Sequence, residues 1–245
     1  MGAGNWLVGI QLYSLRKIIA DDVPGCLRQL AEMGYRAVEF AGYYGRSGAE
    51  LRGMLDECGL SCVGSHTGLP LLEGDQFENT VEINRALGTD RLIVPSMPLD
   101  ELERSLERLN AACVRARNCG MRVGYHNHAR EFELLDGVTI FDRICEATPA
   151  DLLLQLDLGW AAAAGQDIPL LLRRYADRME TVHIKEYNAT NPAAAVGEGQ
   201  VSWPEIFPLL AEKGIREVVV EQESFEVGPL ESARVCIENI NKWTR

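Results

Sequence analysis

Cysteine pairs with the spacing of a metal or redox site are missing from this chain of 245 residues. Seven cysteines are present, an odd number, and no two of them form a C-x-x-C motif. The sequence therefore gives no sign of a thiolate zinc site or of a dithiol redox site. Most of the cysteines are expected to be small apolar residues of helices and strands in a reducing compartment.

Long apolar stretches and linker segments are also missing. The longest stretch without polar side chains, residues 158–165, is far shorter than the roughly 18 residues that cross a bilayer. The N-terminus lacks a basic segment followed by an apolar one, and no run of Ser, Pro and Gly is long enough to be a linker. We therefore expect a soluble, cytoplasmic protein that folds as one domain over residues 1–245.

Basic residues are too few to balance the acidic ones. The chain has 24 Lys and Arg against 36 Asp and Glu, which gives a formal net charge of -12. This charge repels nucleic acid and anionic membranes, and no basic patch in the sequence opposes it. We expect neither partner. A phosphorylated small molecule remains open as a substrate, because a metal cation together with a local Arg or Lys would hold it.

A repeated unit organises the chain: an amphipathic helical stretch, a glycine or short polar break, and then a β-rich run. It recurs about every 30 residues, the length of one βα unit. No G-x-G-x-x-G follows the first strand, which favours a closed (β/α)8 TIM barrel of the α/β class over an open doubly wound sheet. The eight predicted strands are residues 7–12, 36–41, 61–65, 91–95, 122–127, 152–157, 180–185 and 217–222.

Histidines and carboxylates are concentrated at the C-terminal ends of these predicted strands. All four histidines lie there, and two further apolar runs end in Asp157 and Glu221. In a parallel barrel these ends meet at one mouth, where such barrels carry their chemistry. The candidate site residues, in strand order, are Gln11, Tyr13, Glu39, His66, His126, His128, Asp157, His183, Lys185, Glu221 and Glu223.

Imidazoles and carboxylates at one mouth predict a site for one divalent metal ion. Enclosed carboxylates without a cation carry a large desolvation and repulsion penalty, which a cation removes. Oxygen ligands with one or two imidazoles suit Mn²⁺, Mg²⁺ or Co²⁺, and Mn²⁺ is the expected ion; Zn²⁺ is also possible but less favoured because no thiolate stands among the ligands. Taken singly, other roles stay open: Asp157 as a helix cap, His183 as a core histidine, and Glu39 as a solvated strand end.

Five motifs follow one another along the chain. They are residues 124–132 (GYHNHAREF), 156–160 (LDLGW), 182–186 (VHIKE), 197–199 (GEG) ahead of Trp203, and 220–223 (VEQE). In this order they resemble the sugar phosphate isomerase/epimerase family, whose members are also described as xylose isomerase-like TIM barrels and are related to the family 2 AP endonucleases. The likeness begins at residues 9–14 (GIQLYS) and therefore covers nearly the whole chain.

The resemblance implies a metal held by Glu, Asp, His and Glu from four successive late strands. Asp157, His183 and Glu221 match three of these positions. Glu131 is expected to be the remaining ligand, with His126 as its substitute. Glu221 and Glu131 are also expected to flank the substrate as general base and acid.

The resemblance further assigns the residues that contact substrate. Lys185 and His66 match substrate-contacting positions of the family and are counted with the catalytic residues. Trp160 corresponds to a wall of the pocket. The remaining predicted substrate contacts, taken from the strand ends, are Tyr13, Glu39, His126 and His128.

The implied activity is that of a metal-dependent sugar isomerase or epimerase, working by proton transfer through a metal-stabilised enediolate. A dehydratase or lyase acting on a keto-sugar or an inositol derivative would use the same residues, so this alternative stays open. A metal-dependent endonuclease would need a basic groove, which a net charge of -12 argues against. A non-catalytic sugar-binding barrel is a further alternative. Ile240 and Trp243 of the last helix are expected to be exposed and to offer a face for a homo-oligomer.

Overall fold

Eight parallel β-strands close into a barrel in the computed structural model, which describes residues 5–244. Each strand pairs with its neighbours in sequence, and the last pairs with the first. The predicted TIM barrel is confirmed, and each predicted strand end lies within two residues of the observed one. The strands are β1 (Leu7–Gln11), β2 (Ala37–Ala41), β3 (Ser61–His66), β4 (Arg91–Val94), β5 (Arg122–His126), β6 (Leu153–Asp157), β7 (Thr181–Ile184) and β8 (Glu217–Val220).

Helices connect consecutive strands, as parallel pairing requires. The first three end at glycines in the left-handed conformation, Gly34, Gly59 and Gly88, with φ angles of 112°, 66° and 82°. Within residues 5–244, none of the helices combines the length and the apolarity that a membrane span requires. The helices are α1 (Val23–Met33), α2 (Gly48–Cys58), α3 (Gln76–Leu87), α4 (Leu102–Arg117), α5 (Ile140–Ala147), α6 (Leu158–Ala163), α7 (Ile168–Tyr175), α8 (Trp203–Glu212) and α9 (Pro229–Thr244).

A short antiparallel hairpin, Leu134–Leu135 with Val138–Thr139, follows β5 and leads into α5. It does not belong to the barrel and was not predicted. Its turn is formed by Asp136 and Gly137, which have φ angles of 52° and 83°. An Asp-Gly pair between apolar residues is a common hairpin signal, so this hairpin could have been predicted from the sequence.

The main core lies where the outer faces of the strands meet the helices. Five of the seven cysteines are buried and all are free, in agreement with their expected role as small apolar residues. The expectation for the last helix was wrong. Ile240 is completely buried, and Trp243 is partly buried with its ring stacked 5.4 Å from that of Phe207. Both residues hold α9 against the barrel instead of forming an exposed face.

Candidate active site and metal centre

Successive side chains of a strand point to opposite faces, and this alternation brings polar side chains into the upper part of the barrel. In β6, Gln155 and Asp157 are two residues apart and therefore point to the same side, while Leu154 and Leu156 pack in the outer core. Asp157 is in register with His183 on β7. Glu221 directly follows β8, and its backbone N–H still donates to the carbonyl oxygen of Ile184. The ends of β6, β7 and β8 thus deliver neighbouring side chains.

Four buried side chains offer ligand atoms that all lie within 4.8 Å of one another: His126, Asp157, His183 and Glu221. We call them the four-residue cluster. Nδ1 of His183 is 3.3 Å from Oε2 of Glu221 and 3.9 Å from Oδ2 of Asp157. Nε2 of His126 is 3.9 Å from Oε2 of Glu221. Ligand atoms that share a metal at about 2.0–2.2 Å have mutual distances of this order.

Glu131 is not a member of this cluster. It lies in the short 3-10 helix Arg130–Phe132 beyond the end of β5, where both of its oxygens are engaged. The Tyr125 hydroxyl donates to one oxygen at 2.8 Å, and the His128 backbone N–H donates to the other at 2.9 Å. The structure therefore brings His126, the substitute, to the other three expected ligands. The choice of Glu131 is revised for that reason.

The four-residue cluster fits a divalent cation by the chemistry of its unused atoms. Oδ2 of Asp157 is buried without a hydrogen-bond partner, a costly condition for a polar atom. The other oxygen of Asp157 accepts from the backbone N–H of Trp160 at 2.8 Å. Asp157 is thus a helix cap, as one reading of the sequence had it, and still has one oxygen to offer. Two imidazoles and two carboxylates suit Mn²⁺, Co²⁺ or Zn²⁺.

Glu39 lies beneath the cluster and is completely buried. Its Oε2 accepts from Gln11 at 2.8 Å and bonds Nε2 of His183 at 2.7 Å. Its Oε1 accepts from Gln155 at 2.7 Å. Glu39 lines neither cavity of the mouth, so the expectation that it contacts substrate is revised: its neighbours surround it and it orients His183.

Charges around the cluster set its protonation. Burial raises the pKa of Asp157 to about 7 and lowers the pKa of His126 well below its ordinary value. Burial disfavours protonation of His183, but Glu39 and Glu221 outweigh it and raise the pKa of His183 to about 10. For Glu221, burial is outweighed by Lys185 and His183, which hold its pKa well below the usual range. The metal-free cluster is therefore a mixed array of charged and neutral groups.

Two cavities open at the mouth of the barrel and meet at Glu221 and Glu223. The polar cavity, of about 420 Å³, is lined by three of the predicted histidines. The apolar cavity, of about 400 Å³, lies on the side of α6 and the loop after β7. Tyr13, His66, His126 and His128 line the polar cavity, and Trp160 and Lys185 line the apolar cavity.

Lys185 stands at the boundary between the two cavities. Its Nζ donates to Oε1 of Glu223 at 2.6 Å and lies 3.6 Å from Oε2 of Glu221. It also lies 5.0 Å from the centre of the Trp160 ring, a cation–π contact. Burial disfavours its charged form, yet Glu221 and Asp157 raise the pKa of Lys185 above its ordinary value. Lys185 is therefore an ammonium ion beside the cluster.

One organising residue of the site, Glu186, was not predicted. Its carboxylate accepts hydrogen bonds from the backbone N–H groups of Tyr187, Gly197 and Val201 at 2.7–3.2 Å. It also accepts from the Trp203 indole at 2.8 Å. A Cβ at Gly199 would lie 2.4 Å from Oε1 of Glu186, which explains the second glycine of the GEG motif. The spacing between the GEG motif and Trp203 was the sequence signal that could have identified Glu186.

The profile of the xylose isomerase-like TIM barrel family matches residues 27–244. An inosose dehydratase of Geobacillus kaustophilus (strain HTA426) is 27% identical over an alignment of 205 positions, covering 69% of this chain and 66% of that protein. The chain therefore spans slightly less than two thirds of this relative. The rhizopine catabolism protein MocC of Rhizobium meliloti is 26% identical over an alignment of 274 positions, covering 90% of this chain and 84% of that protein.

Among solved structures, a sugar phosphate isomerase/epimerase of Parabacteroides distasonis ATCC 8503 superimposes with a TM-score of 0.85. It is 24% identical in sequence, and the match covers 100% of this chain and 98% of that one. At this identity the superposition establishes the fold alone. The family profile covers most of the barrel, from α1 to α9. The chain therefore belongs to the xylose isomerase-like TIM barrel family.

Proposed function

We propose that this protein is a divalent-metal-dependent sugar isomerase or epimerase that moves a proton on a carbon next to a carbonyl group. The observation that carries the proposal is the four-residue cluster, in which the buried Oδ2 of Asp157 lacks a hydrogen-bond partner. Two members of the cluster, His126 and Glu221, line a cavity large enough for a monosaccharide. Family membership supports a carbohydrate as substrate.

His126, Asp157, His183 and Glu221 would hold the metal ion. When bound there, a divalent cation supplies a Lewis acid that orients a carbonyl and a neighbouring hydroxyl and stabilises developing negative charge. The carboxylate of Glu221 stays ionised beside Lys185 and borders both cavities, so it is placed to take a proton from a bound sugar. Glu131 lacks that access because Tyr125 and the His128 backbone occupy its oxygens.

Three further residues are proposed to contact the substrate. The ammonium group of Lys185 would donate to a substrate oxygen next to the reacting carbon, since it lies at the boundary of the cavities. His66 and His128 border the polar cavity and would bind hydroxyl groups. His66 is held by the Gln155 side chain at 2.9 Å, which fixes its ring before substrate arrives.

A dehydratase is the second candidate, because one of the relatives is an inosose dehydratase. The same removal of a proton next to a carbonyl would then be followed by loss of a β-hydroxyl group as water. Glu221 would again take the proton, and a protonated group such as Lys185 would assist the departing hydroxyl. The two reactions differ in product, since only dehydration yields a conjugated carbonyl compound that absorbs ultraviolet light.

The test combines metal analysis with hydrogen exchange. Protein prepared with MnCl₂ should retain about one metal ion per chain, and it should exchange a substrate C–H with D₂O in a panel of ketoses and inososes. Replacement of both Asp157 and His183 by Ala should remove stoichiometric metal and exchange together. An Asp75→Ala, Asp177→Ala double variant, changed outside the cluster and both cavities, is the control. Full metal content in the cluster variant would contradict the proposed site.

A further inference from the structure

The apolar cavity has a lining unlike that of the polar cavity, although the two share Glu221 and Glu223. A tryptophan, a tyrosine, a proline and aliphatic side chains form most of its wall. They belong to α6 and to the loop between β7 and α8. Among these apolar lining residues are Trp160, Ala163, Tyr187, Pro192, Ala194 and Val196.

The polar groups in this cavity are largely engaged with the protein itself. The Gln222 amide donates to the carbonyl oxygen of Ala193 at 2.9 Å. The Asn188 side chain accepts from the Asn191 N–H at 3.1 Å and donates towards the loop carbonyl of Glu198 at 3.3 Å. Glu186 is occupied by the four donors already described. A sugar hydroxyl placed here would find few free partners, whereas an apolar group would lose nothing by entering.

Positive charge is equally scarce at the mouth. Of the described residues that line the two cavities, Lys185 is the one cation, and it is paired with Glu223 and close to Glu221. A phosphate group would meet two carboxylates and an ammonium ion that is already neutralised. Recognition of phosphate usually relies on free Arg or Lys side chains or on helix N-termini.

We propose that the substrate is an uncharged sugar derivative that carries an apolar substituent. Its sugar ring lies in the polar cavity over the four-residue cluster, and its substituent lies in the apolar cavity beyond Lys185. This inference rests on the proposed function for the position of the sugar. It adds the chemical class of the substrate, and it excludes a phosphate ester as the preferred form.

The test compares matched ligands and matched variants. Calorimetry would measure binding of the methyl and phenyl β-glycosides of three hexoses, and of glucose 6-phosphate, to the Mn²⁺-loaded protein. Ala163→Phe fills the apolar cavity from α6. Ala162→Phe is the matched control, because Ala162 is the adjacent residue of the same helix, is also half-buried, and borders a different groove.

For at least one hexose the phenyl glycoside should bind about tenfold more tightly than the methyl glycoside, as burial of a phenyl ring predicts. Ala163→Phe should abolish this preference and leave Mn²⁺ binding intact, while Ala162→Phe should preserve it. The inference would be overturned if the two glycosides of every hexose bound equally well, or if binding of the phenyl glycosides were undetectable. It would also be overturned if glucose 6-phosphate bound more tightly than the glycosides, or if the two variants had equal effects. None of these results would affect the test of the proposed function by metal analysis and hydrogen exchange. Failure of this inference can therefore be distinguished from failure of the proposed function.

Discussion

His183 is bonded through both ring nitrogens, and this fixes how it can act. Nε2 faces the carboxylate of Glu39 at 2.7 Å, so this nitrogen carries the hydrogen. Nδ1 faces Glu221 and Asp157, and in the proposed site it would become a ligand once its own proton has left. Glu39 is therefore a positioning residue that selects the tautomer and the ring orientation of His183.

Replacing Glu39 by Gln should weaken Mn²⁺ binding by roughly tenfold to a hundredfold, because an uncharged amide orients the imidazole less firmly. Calorimetry with MnCl₂ measures this, and circular dichroism shows whether the fold is retained. Glu73→Gln is the control: Glu73 pairs with Arg108 at the surface, and this variant should bind Mn²⁺ as the parent does. Unchanged affinity in Glu39→Gln would show that Glu39 does not position His183.

The proposed function gives Glu221 two roles, metal ligand and proton acceptor, and a Gln substitution separates them. Glu221→Gln keeps the shape and one oxygen donor but cannot accept a proton, so C–H exchange should fall by several orders of magnitude while much of the metal remains. The readouts are deuterium incorporation and metal content in the same preparation. Glu57→Gln, on the exposed face of α2, should alter neither. Near-parental exchange in Glu221→Gln would leave Glu221 as a ligand only and direct the search for the base to Lys185.

At the scale of elements, ion pairs lie at the bottom of the barrel, at the end opposite the four-residue cluster. Arg91 begins β4 and pairs with Glu217 of β8 across the barrel, and also with Glu180 at 2.8 Å. The side chains of Arg91 and Glu217 are each only 16% exposed. Burial raises the pKa of Glu217 above its ordinary value even though Arg91 opposes it. Without Arg91, this carboxylate would lose its counter-charge.

Arg91→Ala should therefore lower the free energy of unfolding by about 3 kcal/mol, the usual consequence of leaving a mostly buried charge unpaired. Urea denaturation followed by circular dichroism gives the value. Arg115→Ala removes a comparable pair with Glu78 at the exposed surface and should have little effect. Metal binding by folded Arg91→Ala should remain parental, since the pair lies at the opposite end of the barrel. If Arg91→Ala were as stable as Arg115→Ala, Arg91 would not be the residue that neutralises the buried Glu217.

Strand ends were predictable, and what lies beyond them was less so. A strand fixes its side chains by alternation, so Asp157 and His183 could be placed from the apolar runs that precede them. Glu131 lies five residues after His126, in a 3-10 helix whose path depends on the hydrogen bond from Tyr125. No periodicity in the sequence indicates that hydrogen bond, so the position of Glu131 outside the four-residue cluster could not be predicted. Gln155 could have been found, because a polar residue two positions before Asp157 must also face the barrel interior.

At the scale of the whole molecule, the proposed metal binding and the pH act on the same side chains. In the metal-free protein the pKa of Asp157 is raised to about 7 by burial, and the pKa of His183 is raised to about 10 by Glu39 and Glu221 against burial. Raised values mean that the folded state holds protons which the unfolded chain has released. The corresponding stability is lost as pH rises, from about 4 to 7 for Asp157 and from about 6.5 to 10 for His183.

The proposed metal binding should have the opposite pH dependence, because Asp157 and His183 must both lose their protons to become ligands. About two protons should be released per metal ion at pH 6 and about one at pH 8, measurable by calorimetry in buffers of different ionisation enthalpy. The rise in melting temperature on adding a fixed excess of MnCl₂ should therefore be several degrees larger at pH 8 than at pH 6. The Asp157→Ala, His183→Ala protein should show no rise at either pH, which controls for nonspecific binding to a chain of net charge -12. A rise that is equal at the two pH values in the parent protein would show that these two side chains are not the ones that release protons to the metal.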